Sequence, residues 1–301
     1  MRKIICILLL SIYFQSSDAQ IREWMTPLKF AQIKARSENK LIIMAWSRSL
    51  EIPFPAIVKD ENGKDVYLRN LFESPVIKEF LWTYFIPVKV DDDFYGELMK
   101  DLKVKRSQSY IDAFEDDSLK IMDANGNIIG TSGAFTEVLN FSKFVTKYNL
   151  NTSFLKQELI NYHTNKDFYS TFYLASKYID YSILVNDKVR DEILELSNIY
   201  FNEAEQILSE DQSLENKEAL IQRIQLTKLK QDLIKNKSRK VLRQLNKIAE
   251  LGLQDVNKPL EKFLQYTAYR LRNDTENFSI LEKDLSLLYK KQAQSIVDIN
   301  R

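Results

Sequence analysis

Cysteine and histidine are nearly missing from this chain: Cys6 and His163 are the single examples of each among 301 residues. The common zinc geometries need several such ligands, so no zinc centre is expected. Cys6 itself lies in a segment laid out as a secretory leader. Arg2-Lys3 supplies a basic start, Ile4 to Phe14 a short apolar core, and Ser17-Asp18-Ala19 small residues around a cleavage point. Removal after Ala19 leaves a mature chain without a thiol, which closes off both disulfides and thiol–disulfide exchange. The leader's core of about eleven residues is too short for an anchor, and no later apolar run approaches the ~20 residues that span a bilayer. A charge excess is also lacking. Lysine plus arginine total 43 against 42 acidic residues, so the electrostatic basis for nucleic-acid or anionic-membrane binding is absent. The expectation is an exported protein, periplasmic or extracellular, with no transmembrane segment after leader cleavage and neither cofactor nor metal.

Glycine and proline are scarce, six of each, and their placement divides the chain. Gly63, Gly96, Gly126, Gly130 and Gly133 precede residue 134, with only Gly252 beyond; five prolines occur up to Pro87, then Pro259 alone. Turns and strand ends use these residues, whereas helix interiors exclude them. The pattern predicts a leader over 1–19, a mixed α/β domain over 20–148 and an all-helical domain over 149–301. In the first part, Thr26-Pro27 and Ser74-Pro75 read as helix starts. Leu41 to Trp46 is a continuous apolar run, the mark of a strand covered on both faces, and Phe85 to Val90 reads as a second buried strand. Asn62-Gly63 predicts a small hairpin, and Asp123-Ala124-Asn125-Gly126 the turn of a second one. A closing helix is expected over Thr136 to Tyr148. The second part has helical spacing nearly throughout, which predicts seven helices in an irregular array, one ending at Gly252 and the last running from Phe278 to Ile296.

Three stretches give the first part a family likeness. These are Trp24-Met25-Thr26 through Glu38-Asn39-Lys40 before an apolar strand; Val76 to Phe80 with Phe85 to Asp91; and Ser118 to Gly130 as a terminal hairpin. In order and spacing this part resembles the thioredoxin-like superfamily, in particular exported bacterial thioredoxin-domain proteins. The resemblance covers roughly residues 22–148 and does not extend to the helical part. It implies an α/β thioredoxin-like domain, a mixed sheet with helices on both faces, followed by an all-α array. It places the family's Cys-x-x-Cys pair at Glu51-Ile52-Pro53-Phe54 and its cis-proline at Asp117 or Ser118. Neither sulfur nor proline is present there, so both halves of the redox site are gone.

The resemblance therefore implies a redox-inactive, protein-binding or chaperone-like module whose partner is a protein or peptide, with a vacated groove formed by Glu51, Ile52, Pro53, Phe54, Asp117 and Ser118. One alternative is a non-redox enzyme using Glu51 or Asp117 as a groove carboxylate, which requires a deep pocket. Another is a lumenal redox-inactive chaperone, against which the C-terminal Asp298-Ile299-Asn300-Arg301 lacks a retention signal. Three further features have plain structural readings beside functional ones. Asp91-Asp92-Asp93 is a solvated strand end or a cation site. His163 is a favourable charge at a helix C-terminus. The basic run from Arg223 to Lys247 is a solvated helix face or a dock for an acidic partner, and the polar segment from Lys105 to Asp116 reads as a long connection.

Overall fold

In a computed structural model, residues 23–133 and 138–301 are described; the expected leader with Cys6, and Thr136 and Glu137 of the expected closing helix, lie outside them. The first part is mixed α/β with two mixed sheets, and the second is helical. Its elements begin with α1 (Leu28–Glu38), β1 (Leu41–Trp46), β2 (Ala56–Lys59), β3 (Asp65–Leu68), α2 (Pro75–Tyr84) and β4 (Phe85–Val90). They continue with α3 (Tyr95–Lys105), α4 (Gln108–Glu115), β5 (Lys120–Met122), β6 (Ile128–Thr131), β7 (Leu139–Asn140) and α5 (Phe141–Tyr148).

The main sheet has the order β4-β1-β5-β6. β1 runs parallel to β4 and antiparallel to β5, so Ile43 faces Pro87 on one side and Ile121 on the other. All six residues of β1 are buried, as a strand covered on both faces requires. Pro87 interrupts no ladder with β1. Its carbonyl accepts from Met25 N–H (2.9 Å), and Lys89 N–H donates to Met25 O (3.1 Å), so the missing donor faces the edge closed only by Met25. The small sheet β3-β2-β7 carries the predicted hairpin, turned at Gly63 with φ +76°.

Four expectations need correction. Helix α1 starts after Pro27, which is itself the N-cap, so Thr26 does not cap it. The polar segment from Lys105 to Asp116 is not a plain connection: it carries α4, held by Ile111 and Phe114, and follows α3, held by Met99. Residues 138–140 are not helical: Leu139–Asn140 forms β7, and Asn140 caps α5 through Lys143 N–H. The helical part has eight described helices, not seven, because the segment from Phe278 to Ile296 breaks at Ser286, whose hydroxyl accepts from Tyr289 N–H. They are α6 (Lys156–Thr164), α7 (Phe168–Leu184), α8 (Asp187–Glu210), α9 (Lys217–Ile234), α10 (Ser238–Glu250), α11 (Lys258–Leu271), α12 (Thr275–Glu282) and α13 (Leu287–Asp298). Gly252, at φ +100°, follows α10 as expected.

Helices α7 and α8 form the principal hairpin of the array, and α11 gathers α9, α10, α12 and α13. Both parts share one apolar core that passes through the boundary region, where Tyr148 and Leu150 are buried. The basic run does not end in solvent alone: Lys228 pairs with Glu205 (2.7 Å), Lys235 with Asp191 (3.1 Å), and the buried Lys230 with Asp180, each on a neighbouring helix. None of the described helices is long and apolar enough to cross a membrane.

Candidate functional site

The chain leaves β1 through a short helical turn at Arg48–Leu50 and runs over residues 51–55 into β2. The segment before β5 faces this run. Ser49 and Asp117 join the two, with the Ser49 hydroxyl donating to Asp117 Oδ1 at 2.9 Å. Below them sits Lys120, a fully buried lysine whose ammonium donates to Asp116 Oδ1 (3.0 Å), Ser118 O (2.7 Å) and Asp116 O. Burial lowers its pKa and Asp116 opposes the shift. All three of its donors are used, so this lysine is a clamp on the 116–118 segment rather than a reactive amine. On the other wall, Leu71 N–H donates to Phe54 O (2.8 Å), and the Phe54 and Phe72 rings lie 5.4 Å apart.

Between these walls lies a cavity of about 220 Å³ lined by Ile52, Pro53, Phe54, Pro55 and Gly133 with Ser49, Asp117 and Ser118. Five of the six groove residues expected from sequence therefore converge. Glu51 does not: it is exposed and outside the lining, its N–H spent on Arg48 O (3.0 Å). Asp117 was legible as a groove residue, but Ser49 and its pairing with Asp117 across the groove were not. His163 lies elsewhere, so the Ser49–Asp117 pair has no imidazole beside it to act as a base.

A second concave region lies where the two parts meet, and sequence reasoning missed it. The turn between β5 and β6 is driven into the α7–α8 hairpin. Asp123, 1 % exposed, accepts at Oδ1 from the N–H groups of Asn125 and Asn127 (2.9 Å each). At Oδ2 it accepts from the hydroxyls of Tyr178 (3.1 Å) and Tyr200. The Tyr200 oxygen in turn accepts from the side-chain amides of Asn125 (2.8 Å) and Asn127 (3.0 Å). Burial pushes the Asp123 carboxyl above its ordinary pKa against the pull of these bonds, and raises both phenols as well. Beside this knot opens a cleft of about 690 Å³ walled by α1, α3, the turn, α6 and α8, with His163 on its lining.

The remaining sequence candidates have local explanations. Asp91 caps the turn after β4 by accepting from Asp93 N–H (3.3 Å), and Asp92 Oδ2 accepts from Arg48 N–H (3.3 Å). Among the described residues no three metal-ligating side chains gather. No known protein family, curated protein or solved structure matches the chain.

Proposed function

We propose that this chain is an exported, redox-inactive thioredoxin-like protein that works by contact, holding an extended protein or peptide segment in the groove beside Ile52. The sheet order β4-β1-β5-β6, parallel on one side of β1 and antiparallel on the other, supports the family reading. Fold alone carries no function, so the weight rests on the groove.

The observation that carries the proposal is its make-up. Its walls are apolar, Ile52 is 62 % exposed at the rim, and the polar groups Ser49, Asp117 and Ser118 are already hydrogen-bonded within the protein. At about 220 Å³ the cavity is smaller than the ~300–1,000 Å³ of small-molecule sites. A single bulky side chain of a docked segment suits it better. Glu51 lies outside the lining, and Asp117, the other expected groove carboxylate, lines it but is held by the Ser49 hydroxyl, which leaves contact as the better-supported reading.

The test uses the purified protein against a displayed library of extended peptides, with Ile52→Asp beside it. Peptides carrying one bulky apolar residue are selected, and the variant binds them at least about tenfold more weakly, ~1.4 kcal/mol. Because Ile52 is exposed, its thermal stability is unchanged. Selection that ignores Ile52→Asp removes the groove from the proposal. Catalysed insulin reduction by the mature chain removes the redox-inactive reading.

A further inference from the structure

The cleft between the two parts has cations that the fold does not use up. Arg36 on α1 spends one guanidinium nitrogen on Ala124 O (3.0 Å), and Arg106 donates to Asn127 Oδ1 (2.8 Å) and Lys105 O (3.2 Å). Both arginines are thus fixed to the same five-residue turn. Arg106 is further held over the Tyr110 ring, 5.6 Å from its centre. Among the described residues neither arginine has a carboxylate within ion-pair distance, nor does Lys105 at the rim. Asp123, the carboxyl beneath them, acts on Arg36 through its charge without forming an ion pair, and its hydrogen bonds are taken by two tyrosines and two backbone amides. The Arg106 Nε–H is buried and has no acceptor. A stranded donor on a charged group costs about 1–3 kcal/mol or more, whereas the outer nitrogens of the two guanidiniums are the ones a ligand in the cleft can reach.

The rest of the lining narrows the class of anion. Leu98 and Leu102 of α3, Phe114 of α4 and Ile207 of α8 supply apolar walls. Asp101, Glu203 and Glu210 also line the cleft, and only Glu203 is neutralised, by Lys166 (2.6 Å). Uncompensated acids repel a doubly charged ligand more than a singly charged one. The volume of about 690 Å³ lies within the ~300–1,000 Å³ range of small-molecule sites, which favour domain interfaces.

We infer that the inter-domain cleft binds a small organic monocarboxylic acid, its carboxylate on Arg36 and Arg106 and its apolar body along Leu98, Leu102 and Ile207. This site is separate from the Ile52 groove, and either can fail without the other.

The test titrates the full chain with octanoate, acetate, octanamide and inorganic phosphate at constant ionic strength, read by calorimetry. Octanoate binds saturably with one site. Acetate lacks the body and octanamide the charge, so each binds at least about tenfold more weakly, ~1.4 kcal/mol. Arg106→Lys keeps the charge but loses the fork, and lowers octanoate affinity about tenfold. Because Arg106 also holds the turn, Lys105→Glu serves as the second variant: it lies at the exposed rim, leaves the melting temperature in place and weakens octanoate severalfold. Octanamide binding as well as octanoate, phosphate binding more tightly, no saturable site, or indifference to both variants would each overturn the inference.

Discussion

Replacing Asp123 by alanine removes the acceptor on which the two parts are joined. Four donors lose their partner: the hydroxyls of Tyr178 and Tyr200 and the N–H groups of Asn125 and Asn127. The phenols are 1 % and 0 % exposed, so water cannot replace the carboxyl without opening the interface. Of the two amides, that of Asn125 is part-buried and recovers some of its loss, while that of Asn127 is buried. Counting about 1–3 kcal/mol for each stranded buried donor, the two phenols alone set a cost of about 2–6 kcal/mol. That is a large share of the ~5–15 kcal/mol typical of a folded domain. Urea unfolding at neutral pH, followed by far-ultraviolet dichroism and tryptophan fluorescence, measures it. A loss below about 1 kcal/mol would refute the view that this knot joins the halves. A double-mutant cycle with Tyr178→Phe isolates the contact, with a coupling of about 1 kcal/mol or more expected.

The same residue sets a pH signature. Its native pKa is raised by burial above the ~3.9 of an unfolded chain. Its contribution is therefore fully present below about pH 4 and is lost as pH rises through the native value. Asn at this position does not titrate. The stability gap between the protein and Asp123→Asn is accordingly wider at acid than at neutral pH. A gap that widens toward neutral pH would mean that the hydrogen bonds hold the carboxylate ionised.

Two other perturbations follow from close packing. Gly130 on β6 lies against Tyr148, so the Cβ of Gly130→Ala would collide with the phenol oxygen and come within 3.1 Å of Glu192 Oε1. Overpacking of this kind costs about 1–3 kcal/mol, and a melting temperature equal to the parent's would show that Tyr148 moves aside freely. The phenols of Tyr110, Tyr148, Tyr162, Tyr178, Tyr181 and Tyr200 are all raised, chiefly by burial. Their stabilising share holds below about pH 10 and disappears as pH climbs through the native values. Ionisation of this buried set should then coincide with unfolding; their tyrosinate absorbance appearing near pH 10 without loss of dichroism would contradict this.

Strand β1 was legible because an apolar run long enough for a strand, and covered on both faces, looks the same in sequence and in space, and β4 keeps that pattern but for the exposed Lys89. Their observed limits, Leu41–Trp46 and Phe85–Val90, are those read from the sequence. Helix α3 was missed because its one buried side chain, Met99, leaves almost no periodic signal. The break at Ser286 escaped for the opposite reason. Leu281 and Leu285 keep a four-residue spacing into the break, and periodicity does not register a cap. The groove was legible as two separate segments, since residues 51–54 follow one strand and 117–118 precede another. The cleft was not. Arg36, Arg106, Asp123, Tyr178 and Tyr200 stand apart along the chain, and each alone reads as ordinary helix surface, turn or core.

By itself the sequence determined most of the strand and helix segments, where the α/β part gives way to the helical part, and that the described residues carry no thiol. Those are local matters, decided by side-chain polarity, turn chemistry and the period of the apolar pattern. Only the tertiary structure decided that a polar turn would be buried against two tyrosines, and that two arginines would be fixed beside it with no carboxylate in ion-pair contact. Such pairings depend on how already-formed faces dock, and hydrogen-bond partners far apart in the chain leave no mark on either segment before they meet.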